Sequence, residues 1–218
     1  MKKIVIFDVD GTIINTLPTI SYHVNTALKE HGFDPIEENR YRYILGYGAD
    51  YLIDEALKMS TGESQDEEIK NKVLETYNGY YRAQPIYLTE PYEGIKDVLS
   101  TLKEKGYYTA CFSNKAHYIL EGVISEFFGD NVFDVVLGEK EGVNVKPDPQ
   151  GLFNILDSLG LDKDEAIFIG DTEVDIKTGE NAGVFTIGVT WGFRSYEDIK
   201  DLSADVIIDE VKDILEYI

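Results

Sequence analysis

Cysteine is nearly absent: the 218 residues contain one, Cys111. A single cysteine excludes an intramolecular disulfide and fits a reducing, cytoplasmic setting. Its place in the strand-like run Tyr107 to Phe112 reads as that of a small core residue rather than a nucleophile. Basic charge is scarce too, with 20 Lys and Arg against 41 Asp and Glu and a formal charge of -21. Such a chain repels nucleic acid and anionic membrane surfaces, so no nucleic acid and no membrane is expected as a partner. It also repels a phosphorylated ligand at long range, so a site for one has to be locally positive, built from Lys, Arg, backbone N–H groups or a metal. Long apolar runs are missing. The run Ile4 to Phe7 after Lys2-Lys3 stops at Asp8, well short of a signal-peptide core of about 7–15 residues. Nothing approaches the ~20 apolar residues of a membrane span, and there is no repeat, low-complexity tract or flexible linker.

What is present is enough for a packed core: 43% of the residues are hydrophobic and 12% aromatic. The length suits one large domain, or a medium one carrying a smaller one. Apolar spacing predicts helices over 17–31, 49–59 and 67–83 with no strand among them, so residues 16–83 read as an all-α insert. From Pro91 onward the pattern alternates. Helices over 94–105, 116–127, 151–159 and 174–182 lead in turn to strands over 107–112, 133–137, 166–169 and 185–189. A short strand near 205–208 and a helix over 211–217 finish the chain. Alternation of this kind predicts a parallel sheet covered by helices on both faces. The expected fold class is therefore α/β, a Rossmann-like parallel core over residues 1–15 and 84–218 interrupted by a helical domain over 16–83.

The chemistry gathers at the strand ends. The β-branched run Lys3-Ile4-Val5-Ile6-Phe7 reads as a buried strand and stops in Asp8-Val9-Asp10-Gly11-Thr12. Carboxylates at the end of a buried strand are costly unless a counter-charge meets them, and a divalent cation is the obvious one. In open α/β sheets ligands bind at that end. The next strand is followed by Ser113-Asn114, the third by Lys146-Pro147, and the fourth by Gly170-Asp171-Thr172-Glu173-Val174-Asp175. Singly, Ser-Asn reads as a helix cap and Lys-Pro as loop punctuation. Together they bring acids, a hydroxyl and a lysine to one edge, a set suited to phosphoryl transfer.

Those four segments resemble the four motifs of the haloacid dehalogenase superfamily: the DxDG[TV] loop, the Ser or Thr after the second strand, the Lys, and the acidic GDxxxD loop. The resemblance spans the chain and implies that the helical insert is a cap domain. It implies that Asp8 is the nucleophile that becomes an aspartyl-phosphate. Asp10 would be general acid to the leaving oxygen and then general base for water. Mg²⁺ would be held by the Asp8 carboxylate, the Asp10 main-chain carbonyl and Asp171, with Asp175 orienting that shell directly or through water. Ser113 and the Asn114 N–H would hold phosphoryl oxygens, Lys146 would neutralise nucleophile and phosphate, and Thr12 would assist by hydrogen bonding.

An acid at position 10 favours a phosphate ester over dehalogenation. Thr12 and the segments around Gly46-x-Gly48, Tyr80-Tyr81-Arg82 and Tyr92-Glu93-Gly94-Ile95 resemble the phosphoglycolate-phosphatase branch, whereas a sugar phosphomutase of the β-phosphoglucomutase type remains the alternative. Asn15 departs from the acid usual there. The expected partner is a small phosphorylated metabolite, and the expected state a monomer or homodimer. Arg40 and Arg42 are candidates for a substrate carboxylate, His23 and His117 read as packing or surface residues, and Trp191-Gly192-Phe193 is expected to border the entrance.

Overall fold

The computed structural model describes residues 2–218 and divides into two compact units, residues 2–15 with 91–218 and residues 16–90. The chain opens with β1 (Ile4–Phe7) and the two-residue β2 (Ile14–Asn15), then enters the second unit with α1 (Leu17–Glu30), α2 (Glu38–Tyr41), α3 (Ala49–Thr61) and α4 (Glu67–Ala83). It returns through β3 (Glu90–Pro91), which pairs with β2. Next come α5 (Ile95–Glu104), β4 (Tyr108–Ala116), α6 (His117–Phe128), β5 (Val135–Glu139) and α7 (Gln150–Leu159). Last are β6 (Ala166–Gly170), α8 (Glu173–Ala182), β7 (Phe185–Val189), α9 (Tyr196–Ile199) and β8 (Val206–Ile208).

The sheet is parallel throughout, in the order β5-β4-β1-β6-β7-β8. All four residues of β1 are fully buried, as expected of a central strand covered on both faces. On one face Ile4, Ile6, Ala110, Phe112 and Phe168 pack with Leu152, Ile155 and Leu156 of α7. Burying side chains of this size stabilises the fold by roughly 1.5–3 kcal/mol each. After β1 the chain builds outward through β4 and β5, then resumes on the other side with β6. The strand order therefore reverses beside β1, and the crevice at the carboxyl ends of β4, β1 and β6 is where such a sheet receives ligands.

Several expectations are corrected. The predicted strand over 107–112 runs on to Ala116, because the polar residues after Phe112 stay beside β5 across a register shift and Ala116 pairs with Glu139. Ser113 and Asn114 thus lie inside a strand rather than between a strand and a helix. The predicted return to the core at residue 84 comes later, after Glu90. The reason is bonding back to α1: Gln84 O meets His23 Nε2 at 3.0 Å, Thr89 Oγ1 meets Thr19 Oγ1 at 2.5 Å, and Tyr87 O accepts from Thr19. The C-terminal helix is a 3-10 helix over Val211–Tyr217. The short α2, α9, β2 and β3 have no counterpart in the sequence reading.

Within the helical unit, Ile20, Val24, Ala27 and Leu28 give α1 one buried face, and Val73, Tyr77 and Tyr81 do the same for α4. Asp66 caps α4 by accepting from the Ile69 N–H at 2.9 Å, and Gly62, at φ 86°, ends α3 in a conformation that disfavours side chains. Among the described residues no helix is long and apolar enough to cross a membrane.

Candidate active site

Four strand ends and one later loop build the site. Beyond β1 the ladder continues for one residue, with the Asp8 N–H donating to Ile169 O at 2.8 Å. The chain then folds over itself: Ile13 N and Ile14 N both donate to Val9 O, and Gly11 N donates to Ile14 O. Gly11 has φ +90°, and a Cβ there would stand 2.3 Å from Asp171 Oδ2. Glycine is therefore required on two counts, conformation and space. The turn buries Asp8 and Thr12 completely or nearly so, at 5% and 0% exposed.

Lys146 is the hub. Its Nζ lies 2.5 Å from Asp8 Oδ1 and 2.6 Å from Asp175 Oδ1, with all three side chains buried. The rings of Phe112 and Phe168 lie beneath the ammonium, their centroids 5.7 and 5.9 Å away. Asn114 places this lysine. Its Nδ2 donates to Lys146 O at 3.0 Å and its Oδ1 accepts from Lys146 N at 2.7 Å, a two-point clamp on the backbone. Asp175 gives its other oxygen to the Thr172 N–H and hydroxyl, the capping box that starts α8.

Asp171 is held from two sides. Thr12 Oγ1 donates to its Oδ1 at 2.9 Å, and the Phe193 N–H donates to its Oδ2 at 2.7 Å. Phe193 belongs to the loop after β7, which Trp191 ties to the first motif through Nε1–H to Thr12 O at 3.0 Å. Gly192 lies so close that a Cβ would stand 2.3 Å from Gly11 O and 2.4 Å from Asp171 Oδ2. Next in line, Arg194 forks onto Glu173 through Nε and Nη2, each at 2.7 Å.

The electrostatics are those of a site with surplus negative charge. Burial pushes the Asp8 carboxyl up, and Asp175 and Asp10 add to that against the opposing pull of Lys146, to about 7. Burial, then Asp175 and Asp8, raise Asp171 well above the ordinary range. Burial works against the charge on Lys146, but Asp175 and Asp8 more than offset it and hold its proton tightly. Three carboxylates with one ammonium leave a formal deficit of two positive charges. Asp8, Asp171 and Asp175 can each offer an oxygen within 4.8 Å of the others. An all-carboxylate donor set of that kind fits a hard divalent cation.

A family model described as haloacid dehalogenase-like hydrolase matches residues 5–189. The chain belongs to the haloacid dehalogenase-like hydrolase family. It is 32% identical over 219 residues to the phosphoglycolate phosphatase of Haemophilus influenzae, covering 99% of this chain and 98% of that relative. A crystal structure from Lactobacillus delbrueckii subsp. bulgaricus superposes with a TM-score of 0.94 at 31% identity, covering 100% of this chain and 98% of the other. One of a predicted phosphoglycolate phosphatase from Haemophilus somnus gives 0.92 at 28% identity, covering 99% and 97%. Within the haloacid dehalogenase-like hydrolases this chain is a phosphoric monoester hydrolase, a phosphatase.

The structure brings Asp8, Thr12, Lys146, Asp171 and Asp175 into one bonded network, with Asn114 joined to it through the backbone of Lys146. Asp10 stands one step away, its carboxylate against Lys115, whose N–H donates to Ser113 Oγ at 3.2 Å. Arg40, Arg42 and His23 lie in the helical unit. Cys111 is buried, and burial raises its thiol pKa, in keeping with a core role. Sequence reasoning missed Lys115, the clamp made by the Asn114 side chain, and the Phe193 N–H on Asp171. The first two adjoin a recognised motif and were readable as its continuation; a backbone donor some twenty residues away leaves no residue-type signal.

Proposed function

We propose that the protein is a Mg²⁺-dependent phosphatase that hydrolyses a small phosphorylated metabolite, a monoester of the phosphoglycolate kind, through an aspartyl-phosphate on Asp8. In this reading the helical unit, residues 16–90, forms the cap domain that the family resemblance implies. The observation that carries the reading is Lys146 set between Asp8 and Asp175, with Asp171 within ligand range of both. Support for the ester class comes from the names of the full-length relatives.

The residues divide the work as follows. An Asp8 oxygen attacks phosphorus as the bond to the leaving oxygen breaks, and Asp10 gives that oxygen a proton. Asp10 then takes a proton from a water that attacks phosphorus, which frees inorganic phosphate and returns Asp8. Lys146 neutralises charge on Asp8 and the phosphoryl group, Asn114 fixes where Lys146 stands, and Ser113 offers a hydroxyl to a phosphoryl oxygen. Asp8, Asp171 and the Asp10 main-chain carbonyl would hold Mg²⁺, which supplies charge stabilisation for the transferring group. Asp175 acts on that shell through Lys146 and the start of α8.

Release of phosphate from a panel of phosphate esters, run with Mg²⁺ and with chelator, tests this. Hydrolysis of 2-phosphoglycolate that chelator removes is the expected result. Activity untouched by chelator contradicts the metal assignment. A sugar phosphate isomerised without free phosphate, in the presence of a bisphosphate primer, overturns the phosphatase reading in favour of a mutase.

A further inference from the structure

The acids of the first motif each have their own lysine. Lys146 serves Asp8, while Lys115 Nζ lies 2.7 Å from Asp10 Oδ1, with the lysine side chain 4% exposed. The Asp10 oxygen is itself shielded from solvent and makes no aligned hydrogen bond, so the contact is an ion pair held by charge in the ionised form that Asp10 takes once it has given up its proton. A buried ammonium in such a place is not a solvated surface lysine.

The backbone explains how Lys115 comes to be there. In a regular strand residues 113 and 115 share a face and 114 takes the other. The shift of register between Phe112 and Ala116 breaks that alternation, as a bulge does. Ser113, Asn114 and Lys115 are all buried, at 3%, 6% and 8% exposed, in a strand covered on both faces. Asn114 turns to Lys146 and Lys115 to Asp10. Gly138 on the neighbouring strand keeps this segment in place: a Cβ there would stand 2.6 Å from Lys115 O and 2.8 Å from His117 Cα.

We propose that Lys115 is a positioning residue for Asp10, its ammonium holding the Asp10 carboxyl on the leaving-oxygen side of the site. The inference rests on the role given to Asp10 under the proposed function. Its consequence is selective. In the first step, transfer of the phosphoryl group to Asp8, an ester that departs as an alkoxide depends on a well-placed Asp10, whereas 4-nitrophenyl phosphate departs as a stable phenolate and depends on it little. The second step, attack by water, is common to both esters.

The test uses rapid quench to measure release of the first leaving group, its saturating rate and half-saturating concentration, for 2-phosphoglycolate and 4-nitrophenyl phosphate in wild type, Lys115→Met, Lys115→Gln and Asp10→Asn. Each variant's ratio of the two rates comes from one preparation, so partial misfolding cancels. Asp10→Asn is expected to lose roughly 10²–10⁴-fold on the alkyl ester, the usual worth of a general acid, and much less on the aryl ester. Both lysine variants are expected to lose at least about tenfold more of that first-step rate on the alkyl ester than on the aryl one, a fraction of that same factor. Equal losses on both esters would make Lys115 merely structural and overturn the proposal. So would a change confined to the half-saturating concentration of the carboxylate-bearing ester, which would mark a substrate contact instead. In either case a selective Asp10→Asn leaves the proposed function standing; if Asp10→Asn is itself unselective, the general-acid reading falls and Lys115 with it.

Discussion

At the carboxyl edge of the sheet, Asp8, Asp171 and Asp175 are buried around one ammonium, and their partners Thr12, Lys146, Thr172 and the Phe193 N–H all belong to the site. In the helical unit the comparable oddity is His23, buried on α1 with Nε2 against Gln84 O, Nδ1 without a hydrogen-bond partner, and the rings of Tyr22, Tyr80, Tyr81 and Tyr87 around it. Both arrangements bury titratable groups, but with opposite consequences. The sheet edge concentrates like charge that a ligand cation can relieve, whereas the helical unit keeps its histidine neutral. Burial lowers the His23 pKa, with the Gln84 carbonyl opposing it. A site built for charge and a core built around neutrality should answer differently to mutation, cation and pH.

The largest difference should come from Lys146→Met. Removing one partner from a buried pair leaves uncompensated charge and costs about 3–5 kcal/mol. Urea unfolding should show that loss, with part of it recovered by Mg²⁺. A variant as stable as wild type in chelator would mean that no buried carboxylate is charged against Lys146.

Next is Gly192→Ala. The added methyl would meet Gly11 O and the Asp171 carboxylate, so the loop must shift and the Phe193 N–H lose its aim. Overpacking of this kind costs about 1–3 kcal/mol, and calorimetric Mg²⁺ titration should show weaker binding. Unchanged binding would separate the loop from the acidic cluster.

The pH dependences come third and carry opposite signs. In chelator, folded Asp8 keeps its proton up to about 7 while the unfolded chain releases it near 3.8. The folded state therefore binds more protons in between, and its contribution to stability falls as pH rises through that window. Thermal midpoints in chelator should reflect this, and Asp8→Asn or Mg²⁺ should flatten the slope. For His23 the unfolded chain binds the proton more readily, so stability is lost as pH falls below the ordinary 6.5. Protection factors for amide exchange in α1 and α4, corrected for the intrinsic rate at each pH, should fall on acidification, and His23→Phe should blunt that change, the smallest effect of the set. The same sign in both regions would dissolve the comparison.

What the sequence disclosed follows the range of the interactions involved. α4 was readable at both ends because Asp66 caps it and its apolar spacing is local. β1 was readable because four consecutive buried apolar residues end in acids. The end of β4 was not, since pairing of Ala116 with Glu139 draws polar residues into a strand that their own propensities do not favour. Lys115 follows the Ser113-Asn114 motif directly, but its pairing with Asp10 depends on where the extended strand places it. The hold on Asp171 was invisible for a different reason: Phe193 contributes a backbone N–H, which any residue type would supply.

The central claim is that Asp8 carries the phosphoryl group. Intact-mass measurement of protein denatured during turnover of 2-phosphoglycolate, followed by peptide mapping, tests it directly. The account predicts one added phosphoryl group on the peptide bearing Asp8, absent from Asp8→Asn, which should also have lost turnover while keeping its fold. A phosphorylated peptide elsewhere, or full turnover by Asp8→Asn, would contradict it.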